Sequence, residues 1–230
     1  MFKDTIRGLD KLFKDDIDRP KVILVTGPPG AMKSSFIYSL MSAYLSKHQD
    51  EFGLYCTLEE NVESHLRNME SLGIVPPLNL QITDFSNIRS GPDELVDYVE
   101  LTIKMLQHFK EKFGDKFTVF AFDSLGALYS VMEDVSNMRR KMFHFFKYLR
   151  ELNLYSFLIM ERSLGGESNL LGNEGFLSDG IIMLGLKRKQ GKLMRYIQIE
   201  KMRATKHSME MHALEVMEGG IVILGPIFDN

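Results

Sequence analysis

The sequence predicts an α/β fold: a mainly parallel sheet covered by helices and extended by antiparallel strands at its C-terminal end. Three observations predict it. Short apolar runs rich in β-branched and aromatic residues alternate with stretches whose apolar residues recur at helical spacing. The first of these runs passes through a Gly/Pro cluster directly into a helical stretch. Beyond residue 180, four strand-like runs follow one another with no helical pattern between them.

Each element has its own justification. Lys21 to Thr26 (KVILVT) is apolar on both faces, as a strand buried in a parallel sheet must be. Phe36, Ile37, Leu40, Met41, Tyr44 and Leu45 then fall at helical spacing. Phe52 to Leu58 reads as a second strand. Val62, Leu66 and Met69 mark a short helix that Gly73 stops. Leu78 to Phe85 is a weaker strand. Leu95, Val99, Ile103, Leu106 and Phe113 outline a longer helix ending at Gly114. Phe117 to Phe122 (FTVFAF) is a strongly apolar strand that closes on Asp123. Val135, Met138, Met142, Phe145, Leu149 and Leu152 form the next helical stripe, and Tyr155 to Met160 a strand that closes on Glu161. Ile181 to Leu186, Leu193 to Glu200, His212 to Met217 and Ile221 to Leu224 are the late strands, with turns at Gln190-Gly191 and Gly219-Gly220.

Composition bounds the function. The chain has 230 residues, 44% hydrophobic and 26% charged, which excludes a disordered or fibrous protein. That length suits one domain over residues 1–230, with 1–20 as a lead-in segment. Lys and Arg number 28 against 31 Asp and Glu, a net charge of −3, so there is no overall pull toward nucleic acid or an anionic membrane. Met1 to Pro20 lacks the apolar core of a signal peptide, and no uncharged apolar run approaches the ~20 residues that a membrane helix needs. The expectation is a cytoplasmic protein with no membrane partner. The single cysteine, Cys56, cannot form an internal disulfide and reads as buried packing.

The strongest motif is Gly27-Pro28-Pro29-Gly30-Ala31-Met32-Lys33-Ser34, followed by Ser35. It approximates the phosphate loop G-x-x-x-x-G-K-[ST], whose backbone N–H groups surround phosphate oxygens at a helix N-terminus. Lys33 is placed to reach the β- and γ-phosphates, and Ser34 to bind Mg²⁺. Met32 stands where the second glycine belongs, a departure that bears on turnover more than on nucleotide binding. Asp123, at the end of the most apolar strand, is the candidate acid for Mg²⁺. Glu59 and Glu60 follow the second strand. A carboxylate there fits a base that activates water, and equally fits acids that stabilise a helix N-terminus.

Other groups carry less. His48, His65, His108, His144 and His212 have no metal-ligand spacing and read as surface or packing residues. Arg139-Arg140-Lys141 reads as a solvated helix face. Lys187 to Lys192 is the densest basic stretch. It lacks interleaved aromatics and reads as a charged turn that protects sheet edges. Ser163 to Gly172 reads as a loop near the nucleotide end of the sheet.

Ile6-Arg7-Gly8-Leu9-Asp10 ahead of the phosphate loop resembles the opening of KaiC-like ATPases of the RecA superfamily. Leu58-Glu59-Glu60, Phe122-Asp123-Ser124 and Phe176-Leu177-Ser178-Asp179-Gly180 resemble that family's elements in order. The most specific is Lys201-Met202-Arg203-Ala204-Thr205-Lys206-His207, similar to its Lys-x-Arg-x-Thr-x-His signature. The resemblance implies a RecA-like three-layer fold, ATP and Mg²⁺ as ligands, and a homo-oligomer, hexameric in the family's pattern. It implies that Lys201 and Arg203 contact the ATP of an adjacent subunit, with Thr205 and His207 completing the contact. It also favours Glu59 or Glu60 as the base. The expected activity is slow ATP hydrolysis through a degenerate Walker A motif. The alternative is a nucleotide-responsive regulatory or scaffold module with little turnover. A DNA-binding recombination-type ATPase ranks behind both.

Overall fold

The computed structural model describes residues 2–85, 97–131, 135–162, 174–189, 191–217 and 220–228. Its first half is β1 (Lys21–Gly27), α1 (Lys33–Lys47), β2 (Phe52–Thr57), α2 (Val62–Ser71), β3 (Leu80–Asp84) and α3 (Tyr98–Phe113). Then come β4 (Phe117–Asp123), α4 (Leu125–Ser130), α5 (Val135–Glu151), β5 (Tyr155–Glu161) and the one-turn α6 (Glu174–Leu177). The chain closes with β6 (Gly180–Lys189), β7 (Lys192–Met202), β8 (His212–Met217) and β9 (Gly220–Pro226).

The nine strands form one sheet in the order β3-β2-β4-β5-β1-β6-β7-β8-β9. Pairing is parallel from β3 through β6 and antiparallel from β6 to β9. This is the predicted fold class. Apolar β1 explains its central place, because its side chains serve two cores. Ile23 and Val25 pack with Phe36, Ile37, Leu40 and Met41 of α1 on one face. Val22 and Leu24 pack with residues of α3, α4 and α5 on the other. Helix, sheet and helix are the three layers.

Helix ends follow local chemistry. Asn61 caps α2 by accepting from the Ser64 N–H at 2.8 Å. Asp97 caps α3 through its side chain. Gly73, at φ 73°, follows α2 in the left-handed conformation that ends helices. Two strands are shorter than their apolar runs: β2 stops at Thr57 and β3 spans Leu80–Asp84. Ladder pairing, rather than hydrophobicity, sets those ends. Helix α4 has no sequence period because one turn and a half cannot display one. Ser124 starts it by accepting from the Ala127 N–H.

The lead-in is part of the core. Phe2 stacks among Tyr44, Tyr155 and Phe157, and Leu9, Leu12, Phe13 and Ile17 are buried. It also grips the segment after β7. The Lys14 N–H donates to the Lys206 carbonyl at 3.0 Å, the Ser208 N–H donates to the Leu12 carbonyl at 2.8 Å, and Phe13 bridges to His207. Cys56 is fully buried, as expected. Among the described residues, no helix is long and apolar enough to cross a membrane. The loop expected over Ser163 to Gly172 lies outside the described residues, as do Leu95, Gln190 and Gly219.

Candidate functional site

Parallel pairing brings four strand ends to one edge. Thr57 of β2 pairs with Asp123 of β4, and Gly27 of β1 pairs with Glu161 of β5. Chemistry placed just beyond those ends converges in the crevice there, as is general for open α/β sheets.

The loop from Gly27 to Met32 turns β1 into α1. A Cβ on Gly27 would lie 1.9 Å from the Leu184 carbonyl oxygen, so no larger residue fits there. Met32 is the N-cap of α1, at φ 69° and ψ 37°. That is the left-handed region, where a side chain costs roughly 1–2 kcal/mol and glycine is unstrained. The glycine of the usual motif is therefore a conformational requirement that Met32 meets under strain. Its side chain packs against the α1-side core, which offsets part of that cost.

Lys33 is nearly buried, 8% exposed. Its ammonium donates to the Pro28 carbonyl at 3.1 Å and lies 3.7 Å from the Glu161 carboxylate. Those two oxygens are the polar partners of the buried cation. Asp123 is 3% exposed. Its Oδ2 accepts from the Tyr55 hydroxyl at 2.7 Å, while Oδ1 is buried with no hydrogen-bond partner. Burial pushes the Asp123 carboxyl up to about 6, and the Glu59 charge adds to this. Neighbouring Ser34, Tyr55 and Lys33 pull it down.

Thr57 Oγ1 accepts from the backbone N–H groups of both Glu59 and Glu60, each at 3.2 Å, and so fixes the turn that presents them. The Glu59 carboxylate accepts a hydrogen bond from the Ser124 hydroxyl. The Glu60 carboxylate accepts from Asn68 Nδ2 at 2.7 Å. Pro29, Gly30, Met32, Lys33, Ser34 and Ser35 line one cleft of about 450 Å³ together with Glu59, Glu60 and Asp123.

Asn68, Met69, Ile159, Glu161 and Arg195 also line that cleft and escaped the sequence reading as site candidates; Glu161 and Arg195 are the charged ones. Glu161 carried a signal of the same kind as Asp123, an acid closing an apolar strand. Arg195 carried none. It reaches the loop from the antiparallel hairpin, its Nε donating to the Gly30 carbonyl at 3.1 Å.

Lys201 and Arg203 lie elsewhere. Met202 pairs with Gly180, and Gly180 with Ile23 near the start of β1. The Lys21 ammonium donates to the Arg203 carbonyl at 3.0 Å. From Lys21 to Gly27 the strand advances about 20 Å at ~3.3 Å per residue, so these cations stand on the edge opposite their own phosphate loop. Lys201 donates to the carbonyls of Gly175 and Ser178, and Arg203 to that of Phe176. Burial, then Arg203 beside it, holds the Lys201 ammonium below its usual range. Thr205 and His207 follow on the same edge, with His207 Nδ1 2.9 Å from the Thr205 carbonyl.

The family model described as "ATPase: KaiC" matches residues 2–226. The chain belongs to the KaiC ATPase family. Membership makes it a nucleotide-binding ATPase domain with a RecA-like fold, as the motif resemblance implied. Similar proteins include a UPF0273 protein of Aeropyrum pernix, 29% identical over 96% of this chain and 92% of that one. A UPF0273 protein of Thermotoga maritima is 27% identical, covering 96% and 94%. The circadian clock oscillator protein KaiC of a Picosynechococcus strain is 27% identical over 95% of this chain but only 43% of its own length. Among solved structures, a KaiC-like protein from Pyrococcus horikoshii superposes with a TM-score of 0.81 at 25% identity, covering 96% of this chain and 97% of that one.

The KaiC-family cleft fits Mg²⁺. The ion is usually held by one or two carboxylates, waters and substrate phosphates rather than by an all-protein cage. The donor set has that character: Asp123 Oδ1 is a buried carboxylate oxygen with no hydrogen-bond partner, and Ser34 lines the same cleft.

Behind the cleft, His65 is fully buried between the Tyr38 and Tyr55 rings, with neither ring nitrogen hydrogen-bonded. Burial lowers it to about 4, so its 3.9 Å approach to Glu60 is not an ion pair at neutral pH. A histidine held neutral in the fold favours folding fully above its unfolded value of 6.5. That stability is lost as pH falls toward 4, by at most roughly 3 kcal/mol. Thermal unfolding should therefore show a steeper loss of Tm from pH 7 to 4.5 in the native protein than in His65→Phe. Equal slopes would remove His65 from the account.

Proposed function

We propose that this chain is a slow Mg²⁺-dependent ATPase whose site is completed by Lys201 and Arg203 of an adjacent copy. One observation carries the reading. Lys33, Ser34, Asp123 and Glu59 line a single cleft, while the matching cations face away from it on the opposite edge of the same sheet.

The backbone N–H groups at the start of α1 and the Lys33 ammonium bind the β- and γ-phosphates. Bound Mg²⁺ supplies charge neutralisation on those phosphate oxygens. Ser34 and Asp123 hold it. Glu59 orients the attacking water and takes its proton. Glu59 is preferred to Glu60 because its carboxylate is tied to Ser124, the residue after Asp123, whereas Glu60 is turned to Asn68. Lys201 and Arg203 of the adjacent copy stabilise charge on the transferring group, with Thr205 and His207 beside them.

Titration of a fluorescent ATP analogue with Mg²⁺ tests the binding half. The native protein should bind, and Lys33→Ala should bind at least about tenfold more weakly through loss of charge-assisted hydrogen bonds. Absence of binding to the native protein would overturn the reading.

Met32 supports a second reading, a nucleotide-responsive regulatory or scaffold module. Its backbone is strained, and its partly buried side chain lines the cleft. That reading expects ATP binding and ATP-dependent assembly without phosphate release.

A further inference from the structure

We propose that Tyr55 is a positioning residue for Asp123. Its phenol hydroxyl occupies one carboxylate oxygen and so aims the other at the Mg²⁺ position. The inference rests on the ATPase reading above.

The placement follows from strand register. Tyr55 of β2 pairs with Ala121 of β4, and Asp123 lies two residues further on. The two side chains therefore share the α1 face as diagonal neighbours, within reach of a long side chain. The phenol hydroxyl donates to Asp123 Oδ2 at 2.7 Å. Tyr55 itself is fully buried. The Tyr38 ring meets it edge-on at 5.7 Å between centroids, and the His65 ring lies 4.6 Å away. With aromatic rings packed on two sides, the Tyr55 hydroxyl has little freedom to leave the carboxylate.

The consequence for Asp123 is directional. A carboxylate on a short side chain can rotate and present either oxygen. Here Oδ2 is committed, and Oδ1 is left buried and unpartnered in the cleft wall beside Ser34. An outer hydrogen bond of this kind orients a metal ligand, and losing one typically weakens metal affinity 10–100-fold. The bond is invisible in sequence, since the partners are 68 residues apart.

Tyr55→Phe removes one oxygen and keeps the ring. The probe is a fluorescent ATP analogue, titrated first without divalent cation and then with Mg²⁺ at fixed nucleotide. Tyr55→Phe should bind the metal-free nucleotide as the native protein does. The Mg²⁺ concentration for half-maximal enhancement should rise about tenfold or more. A purely structural role would move both titrations together or neither. Tyr38→Phe controls for that, because it deletes a neighbouring buried hydroxyl that has no partner. An unchanged Mg²⁺ requirement in Tyr55→Phe, with the native protein responding to Mg²⁺, would overturn this inference alone. A native protein whose nucleotide binding ignores Mg²⁺ would overturn the metal reading beneath it.

Discussion

Replacing Arg203 with Ala should lower kcat roughly 10³-fold while leaving ATP binding to the cleft nearly unchanged. Cations of this kind supply factors of 10³–10⁵ in phosphoryl transfer because they meet charge that develops only in the transition state. The separation of the two effects follows from geometry. Arg203 lies beside Lys21, at the far end of β1 from Gly27, and cannot touch phosphate held by its own chain. The fold should survive the change. Arg203 is half-exposed, and its partner Asp179 keeps Arg150 at 3.0 Å and the Val22 N–H at 3.0 Å. Single-turnover phosphate release against an equilibrium ATP titration checks the split. Loss of binding in step with turnover would mean that Arg203 supports the fold rather than the reaction.

Glu59→Gln should lower phosphate release by roughly 10²–10⁴-fold, the range for removing a positioned general base. Glutamine can still accept from the Ser124 hydroxyl, so local packing is retained and only the proton acceptor is lost. Glu60→Gln should cost far less, because the Glu60 carboxylate is engaged by Asn68 and a glutamine amide oxygen still accepts from it. Phosphate release from the two variants, measured in parallel, separates them. If Glu60→Gln suffers the larger loss, the assignment is reversed.

The parallel half of the fold was legible because a buried strand must be apolar on both faces. KVILVT and FTVFAF have few other uses. The phosphate loop was legible as a strand, a Gly/Pro turn and a helix in immediate succession, and Asp123 because an acid closes an otherwise apolar strand. Short α4 and α6 show no period, so they were missed. The conformational reason for the loop glycine emerged only with the φ of Met32. Glu161 and Arg195 escaped because sheet order decides which strand ends share an edge. Periodicity within one strand does not specify its neighbours. The same limit hid the Tyr55 hydrogen bond and the pairing of Glu59 with Ser124. The packing of the lead-in was not legible in this way. Its Leu9, Leu12, Phe13 and Ile17 are buried, and the segment holds the strand end that carries Arg203 through Lys206 and Ser208.

The most direct test of a shared site is a mixture of two inactive proteins. Lys33→Ala keeps Arg203 and loses its own cleft, while Arg203→Ala keeps its cleft and loses the cation. In a head-to-tail assembly, an equimolar mixture allows an intact cleft to meet an intact cation at about a quarter of the interfaces. Phosphate release from that mixture with Mg²⁺-ATP should rise to roughly that fraction of the native rate, with particle mass above that of one chain. A mixture no faster than the sum of its parts, from a protein that hydrolyses ATP as a monomer, would contradict the account.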